Sequence, residues 1–162
     1  MNIKIILILL SIITSNVVFA EDLRLSCMVN GKSSATNMGK SEIKDDVVFK
    51  NQKVAVIISI IESDLVIRVE GENRTDVVST YTMKNSKGED KIIANYSDKN
   101  IYHLKNSFTD VKELPVDIIK DIKIDRVLGR LTVSSTLDVI GLHTSTTSYS
   151  GNCSKINNVN KF

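Results

Sequence analysis

Two cysteines, Cys27 and Cys153, are the residues of this chain whose type and position define a chemistry most clearly. Their spacing is far from the C-x-x-C of a redox or metal pair, and no cluster of histidines accompanies them. An even number of cysteines in an exported chain is typical of structural disulfides. We therefore predict one disulfide, Cys27–Cys153, with a redox or metal pair as the alternative.

The other residue types that perform catalysis or bind metals are scattered. The two histidines, His103 and His143, have no third ligand at a useful spacing, so we predict no metal site and no cofactor. No Gly-x-Ser-x-Gly, His-Glu-x-x-His or glycine-rich phosphate loop is present. Two pairs of acidic residues could supply paired carboxylates: Glu62 with Asp64, and Asp121 with Asp125. Turn and surface roles explain these acids equally well, and we predict that the protein is not an enzyme.

Residues 1–20 have the composition of a secretory signal peptide. A lysine precedes the apolar run Ile5–Ile13, and Val18-Phe19-Ala20 presents small or β-branched residues at the −3 and −1 positions. The apolar run is too short to span a bilayer. We expect a mature chain that begins at Glu21, is periplasmic or secreted in a bacterium, and keeps no stable membrane anchor after signal removal.

The length and charge after the signal limit the classes of function. Residues 21–162 suit a single domain with a substantial core. The full chain has a net charge of +2, and its charges are interspersed rather than blocked. This balance provides no electrostatic basis for binding nucleic acid. The expected partner is therefore an unknown protein or a small apolar ligand.

Alternating apolar and polar residues predict β-strands along nearly the whole mature chain. Short turns between eight to ten strands predict an all-β, antiparallel meander. A disulfide between the first and last strands favours closure into a barrel, complete or nearly complete, over the second choice of a two-sheet sandwich. In the clearest alternation, inward positions are Leu131, Val133, Leu137 and Val139, and solvent-facing positions are Thr132, Ser134, Thr136 and Asp138.

Two segments depart from this alternation. Residues 31–44 are small and polar, which predicts a loop. The run Asp110-Val111-Lys112-Glu113 has the spacing of a helix capping box, and Pro115 suits the first turn of a helix. We therefore predict one short helix near residues 110–120. The serines and threonines of residues 132–136 and 144–150 are interpreted as a solvated strand face, with binding of sugars or ordering of a partner strand as the alternatives.

The C-terminal region resembles a pattern in small, uncharacterised exported bacterial proteins. It is carried by Ile124-Asp125-Arg126-Val127-Leu128-Gly129-Arg130-Leu131 and by Tyr149-Ser150-Gly151-Asn152-Cys153. The resemblance implies export and a disulfide, and it transfers no activity. From the residues themselves, Gly129 suits the positive φ of a hairpin turn. Arg126 is predicted to stabilise that turn by folding back on Asp125 or on backbone carbonyls.

Three functions compete on this sequence. The first is an exported, non-catalytic binding protein of unknown ligand, and a cavity lined by Tyr81, Tyr96 or Tyr102 would favour it. The second is a secreted inhibitor or immunity-type protein that blocks another enzyme through residues 31–44 or 108–120. A hydrolase that uses scattered carboxylates is the third and least favoured.

Overall fold

The computed structural model describes residues 22–37, 43–84, 87, 91–110 and 115–156. The predicted signal peptide and Glu21 lie outside these residues. The described part of the chain contains nine strands and no helix. The strands are β1 (Leu23–Asn37), β2 (Ile43–Ile61), β3 (Asp64–Glu70), β4 (Thr75–Ser79), β5 (Ile92–Asn95), β6 (Ile101–Asp110), β7 (Val116–Asp125), β8 (Arg130–Val139) and β9 (His143–Lys155).

The nine strands form one antiparallel sheet in the order β4-β3-β2-β1-β9-β8-β7-β6-β5. Strands that follow one another in sequence pair with each other, except for β4 and β5. The first strand, β1, also pairs with the last, β9. β4 nevertheless lies against β6 and β7, so the sheet curls round until its two edges approach. The predicted meander is confirmed as a nearly closed barrel, with its seam between β4 and β5.

The core follows directly from the period-two pattern, because alternate side chains of every strand point into the barrel. Fully buried aliphatic residues come from both halves of the sheet, among them Val56, Ile67, Leu104, Ile122 and Leu131. They form one cluster that also contains Cys27 and Tyr149. Burial of this apolar surface is the main force that closes the sheet.

The β1–β9 pairing depends on two glycines that allow the strands to approach closely. A Cβ atom on Gly151 would clash with the carbonyl oxygen of Met28, and one on Gly31 would clash with the Cβ of Tyr149. Glycine is therefore required at both positions, because the neighbouring strand leaves no room for a side chain.

The register of β8 is as predicted, but burial does not extend along the whole strand. Leu131 and Val133 are buried, whereas Leu137 lies in the same phase and is 37% exposed. The reason is the unequal length of the strands. β3 pairs only with Ala55–Ile61, the last seven of the nineteen residues of β2. Across the sheet Leu137 is level with Asp45, a part of β2 that has no β3 partner.

The fourth residue predicted to point inward, Val139, is half-buried. Of the four positions predicted to face solvent, Thr132 and Ser134 are exposed, and Thr136 and Asp138 are half-buried. Among the described residues this end of the barrel is therefore open, and we call it the mouth.

The predicted helix near residues 110–120 is wrong where the structure describes it. Val116–Asp125 is strand β7, and Asp110 is the last residue of β6; residues 111–114 lie outside the described part. β7 pairs along its whole length with β6 and β8, so its backbone groups are satisfied on both sides. Pro115 stands just before the strand, where its missing N–H removes no ladder hydrogen bond.

The predicted loop at residues 31–44 is also wrong. Residues 31–37 continue β1 and residues 43–44 begin β2, while residues 38–42 lie outside the described part. The small polar residues of this β1 segment pair with the serines and threonines of β9. Hydroxyl side chains suit a pleated surface, and pairing on both sides outweighs their weak local preference for turns.

Candidate binding site at the barrel mouth

The predicted disulfide is present. Cys27 and Cys153 are direct partners in the β1–β9 ladder, and their sulfurs are bonded with a Cα–Cα distance of 4.0 Å. Cys27 is completely buried in the core. The bond therefore fastens the first strand to the last at the centre of the sheet, and it suggests an oxidising compartment.

The turn between β7 and β8 is organised by Asp125. Its Oδ1 accepts hydrogen bonds from the backbone N–H groups of Val127, at 3.0 Å, and Leu128, at 2.8 Å. Gly129 has a φ of +61°, a conformation that glycine adopts without strain. The side chain of Asp125 thus acts as a local cap for this turn.

Arg126 reaches out of its own turn to the neighbouring one. Its Nη1 donates to the carbonyl oxygen of Lys99 at 2.9 Å, and its guanidinium lies 4.9 Å from the centre of the Tyr102 ring. Its contacts therefore link two adjacent turns at the end of the barrel opposite the mouth.

The histidines do not meet in the structure. His103 lies on β6 with its Nε2 atom 2.9 Å from Oδ1 of Asp121, and His143 begins β9. The described residues contain no group of three or more metal-ligating side chains.

The acidic pairs take separate local roles. Oδ1 of Asp64 accepts a hydrogen bond from Thr80 at 2.8 Å, and Glu62 lies exposed in the adjoining turn. Asp121 contacts His103, whereas Asp125 caps its turn. These contacts do not assemble either pair around a cleft.

A buried carboxylate that the sequence analysis did not single out lies inside the barrel. Asp76 on β4 is 2% exposed and points inward in the same phase as Val78. Its Oδ2 accepts from Nε of Arg74 at 2.6 Å and from the hydroxyl of Tyr149 at 2.9 Å. Its Oδ1 accepts from Nη2 of Arg74 at 3.2 Å and lies 3.4 Å from Nζ of Lys120. We call these four residues the Asp76 cluster.

Different strands supply the members of the Asp76 cluster. Arg74 ends the β3–β4 turn, Lys120 lies midway along β7, and Tyr149 comes from β9. The guanidinium of Arg74 also lies 5.9 Å from the centre of the Tyr149 ring. The cluster therefore ties the seam strand β4 to the opposite wall of the barrel.

The cluster shifts the acidity of two of its members. Burial alone would raise the pKa of Asp76, but the hydrogen bond and charge of Arg74 outweigh it. Together, the hydrogen bond and charge of Arg74, the hydroxyl of Tyr149 and the charge of Lys120 hold the pKa of Asp76 below its usual value. Burial, together with the neighbouring Asp76 carboxylate, raises the pKa of Tyr149. Asp76 is thus held ionised and Tyr149 is held protonated.

We expect the lowered pKa of Asp76 to make the protein less stable in acid. The unfolded chain, whose Asp76 titrates near 3.8, takes up the proton before the folded chain does. The contribution of the Asp76 carboxylate to the free energy of unfolding is therefore complete above this pH. It is lost as the pH falls through the lower pKa that Asp76 has in the folded chain. Urea unfolding of the wild type and of Asp76→Asn should show a stability gap that is constant above about pH 5 and narrows below about pH 4. A gap that stays constant or widens down to pH 3 would contradict this assignment.

A pocket of about 340 Å³ opens at the mouth beside the Asp76 cluster. Its polar lining consists of Arg74, Thr75, Asp76, Lys120, Ser135, Ser145 and Thr147. Its apolar lining consists of Ile118 and Leu137, which are direct partners in the β7–β8 ladder. Leu137 therefore owes its exposure to the pocket, because it forms part of a wall that nothing in the described residues covers.

The serine and threonine residues of β8 and β9 divide between two faces. Thr147 and Ser135 are buried and point into the barrel, where Thr147 shares a hydrogen bond of 2.8 Å with Ser33. Thr132 and Ser134 are exposed on the outer face. The predicted solvated face is therefore correct for the outward half only, whereas Ser135, Ser145 and Thr147 of the inward half line the pocket.

A second, smaller pocket of about 190 Å³ has Arg74, Tyr149 and Phe49 in its lining. The rings of Phe49 and Tyr149 meet edge to face, with 6.0 Å between their centres. Arg74 lines both pockets, so its guanidinium lies between them and is held by Asp76 on one side and by the Tyr149 ring on the other.

A signal for the Asp76 cluster does exist in the sequence. Asp76 lies two residues before Val78, and Lys120 lies two residues from both Ile118 and Ile122. Each charged residue therefore shares the inward face of its strand with apolar residues. A charge in an apolar phase is costly unless it is paired, which marks it as a candidate for a buried cluster. By contrast, Tyr81 and Tyr96 are exposed and do not line the mouth pocket; Tyr149 is the tyrosine that reaches the cluster.

The fold and site together define a disulfide-bonded, nearly closed antiparallel barrel with a charged pocket in its mouth. No family model, no curated protein and no solved structure matches this chain. Within the described ranges there is no helix of the length and apolarity needed to cross a membrane.

Proposed function

We propose that this chain is an exported binding protein, without catalytic activity of its own, that holds a small ligand in the pocket at the barrel mouth. The observation that carries the proposal is the pocket itself. Its volume of about 340 Å³ falls within the range of roughly 300–1,000 Å³ that small-molecule sites occupy. Seven polar and two apolar residues line the pocket, so it offers hydrogen-bonding groups beside a short apolar wall.

The chemistry of the Asp76 cluster supports binding rather than catalysis. A general acid or base needs a pKa near the working pH and a free position from which to exchange a proton. The Asp76 carboxylate is instead contacted by Arg74, Tyr149 and Lys120, and its pKa is lowered. The pKa of Tyr149 is raised. Both groups suit a fixed framework for a ligand.

Export is supported by two independent features. Residues 1–20 have the composition of a signal peptide. The disulfide between Cys27 and Cys153 is the kind of bond that persists outside the reducing cytoplasm. The C-terminal resemblance to small exported bacterial proteins agrees with both, and a periplasmic or secreted location is part of this proposal.

A neutral fluorescent probe tests the pocket without assuming the charge of the ligand. We expect N-phenyl-1-naphthylamine, whose emission rises in an apolar environment, to bind the purified mature protein saturably. Leu137→Trp should abolish this binding, because the larger side chain fills the mouth from a position that is already 37% exposed. The matched control is Leu142→Trp, in the β8–β9 turn and outside the pocket lining.

The outcome of this experiment separates the pocket from other sites. Loss of probe binding in Leu137→Trp, with retention in Leu142→Trp, is the expected result. Equal binding by both variants, or no saturable binding by the wild type, would overturn the proposal. In that case the inhibitor hypothesis would become the stronger of the two.

A further inference from the structure

We propose that the ligand of the mouth pocket is an organic monoanion that carries an apolar chain. Lys120 and Arg74 are the residues that bind its negatively charged head group. This inference rests on the function proposed above and adds the chemical class of the ligand. It is based on the charge balance of the pocket and on the position of its apolar wall.

The charged residues of the lining are two cations, Arg74 and Lys120, and one anion, Asp76. Asp76 is 2% exposed and is turned towards its own partners, so a ligand meets the cations rather than the carboxylate. The side chains of Arg74 and Lys120 are 36% and 27% exposed, which leaves both within reach of the pocket. The excess of one positive charge favours a ligand with a single negative charge.

Donor groups remain available on both cations. Arg74 binds Asp76 through Nε and Nη2, which leaves Nη1 outside that paired arrangement. Lys120 carries three N–H donors, and its contact with Asp76 spans 3.4 Å. Asp76 therefore holds the two cations in place and leaves donors for a carboxylate or a similar acidic head group.

The apolar chain of the ligand has a wall to lie against. Ile118 and Leu137 pair across β7 and β8, and Phe108 on β6 is the partner of Ile118 in the neighbouring β6–β7 ladder. This row continues from Lys120 towards the rim, since Ile118 is the next inward residue of β7. An anionic head at Lys120 would therefore place a chain on this row.

This arrangement disfavours the other simple classes of ligand. A cation would meet the positive charges of Arg74 and Lys120 within a pocket whose walls screen them less than water does. A sugar would bury hydroxyl groups against the Leu137 side chain, which offers them no hydrogen-bond partner. A monoanion with an apolar chain satisfies both parts of the lining.

The test uses three eight-carbon probes that differ only in the head group: octanoate, octan-1-ol and octylamine. Each is used to displace N-phenyl-1-naphthylamine from the purified mature protein at pH 7 and low salt. We expect octanoate to displace the fluorophore at the lowest concentration. Lys120→Met should weaken the binding of octanoate about tenfold, which corresponds to ~1.4 kcal/mol of binding free energy. It should leave the affinity for octan-1-ol unchanged. Added salt should reduce the advantage of octanoate.

Lys123→Met is the matched control, because Lys123 lies on the same strand with its side chain exposed on the outer face. It should bind octanoate as the wild type does. Binding of the neutral fluorophore by Lys120→Met shows that this variant is folded, and Lys120→Gln provides a second neutral substitution in case it is not.

The outcomes distinguish failure of this inference from failure of the proposed function. Equal binding of octanoate and octan-1-ol, with no effect of Lys120→Met or Lys120→Gln, would overturn the anionic ligand and leave the pocket intact. Strongest binding of octylamine would overturn it as well. No saturable binding of the fluorophore by the wild type would overturn the function on which the inference rests.

Discussion

Replacing Cys27 and Cys153 together with alanine is expected to lower the free energy of unfolding by about 5 kcal/mol, through the loss of a loop-closing bond. The two residues are 126 positions apart in sequence, so the bond constrains nearly the whole unfolded domain. In the folded state they are already ladder partners, and the sheet can keep its register without the bond. The effect should therefore arise mainly in the unfolded chain.

Guanidinium unfolding of the oxidised wild type and of the double alanine variant measures this difference. The variant should also show a larger dependence of the unfolding free energy on denaturant, because its unfolded chain is less compact. The reduced wild type is the control and should match the variant. A loss below about 1 kcal/mol would show that the bond does not restrict the unfolded state as the loop-entropy model requires.

The strands and the closure of the barrel were predictable from the sequence. The alternation around Leu131 and Val133 correctly identified the inward face of β8. The cysteines, one in the first described strand and one in the last, correctly indicated that these two strands are neighbours. Both signals depend on short-range periodicity or on a single covalent bond, which a sequence displays directly.

The errors occurred where long-range pairing overrides local preference. Asp110 and Pro115 resemble the start of a helix, yet the residues that follow Pro115 pair with two strands and form β7. The polar segment after Gly31 resembles a loop, yet it pairs with β2 and β9. A local motif cannot report such partners, because they lie many residues away in sequence.

The candidate site was missed for a related reason. Arg74, Asp76, Lys120 and Tyr149 come from distant strands, and their contacts depend on how the sheet curls at its seam. The exposure of Leu137 likewise depends on the shortness of β3, which pairs with only the last seven of the nineteen residues of β2. The phase of Asp76 and Lys120 within their strands was the available signal, and it identifies inward charges without identifying their partners.

Replacing Asp76 with alanine is expected to lower the free energy of unfolding by about 3 kcal/mol, the lower end of the cost of breaking a buried ion pair. The substitution leaves Arg74 and Lys120 facing each other without an anion, and it removes the acceptor of the Tyr149 hydroxyl. The lower end applies because both cations keep partial access to water. Denaturant unfolding at pH 7 measures the change.

Asp121→Ala is the matched control, since Asp121 is a strand aspartate that is 37% exposed and pairs with the half-buried His103. The free energy of unfolding of this variant should fall by less than about 1 kcal/mol, as is usual for ion pairs in contact with solvent. A similar loss for both variants would show that the Asp76 cluster contributes no more than a surface contact.

An apolar replacement of the whole cluster separates its contribution to stability from its contribution to function. The variant that combines Arg74→Met, Asp76→Val, Lys120→Met and Tyr149→Phe leaves no charge or hydroxyl of the Asp76 cluster unpaired. Well-packed apolar residues commonly equal or exceed a buried ion pair in stability. We therefore expect this variant to regain most of the stability that Asp76→Ala loses, and to lose the preference for octanoate over octan-1-ol. Such a result would mean that the cluster is maintained for the ligand, because the barrel can be closed without it.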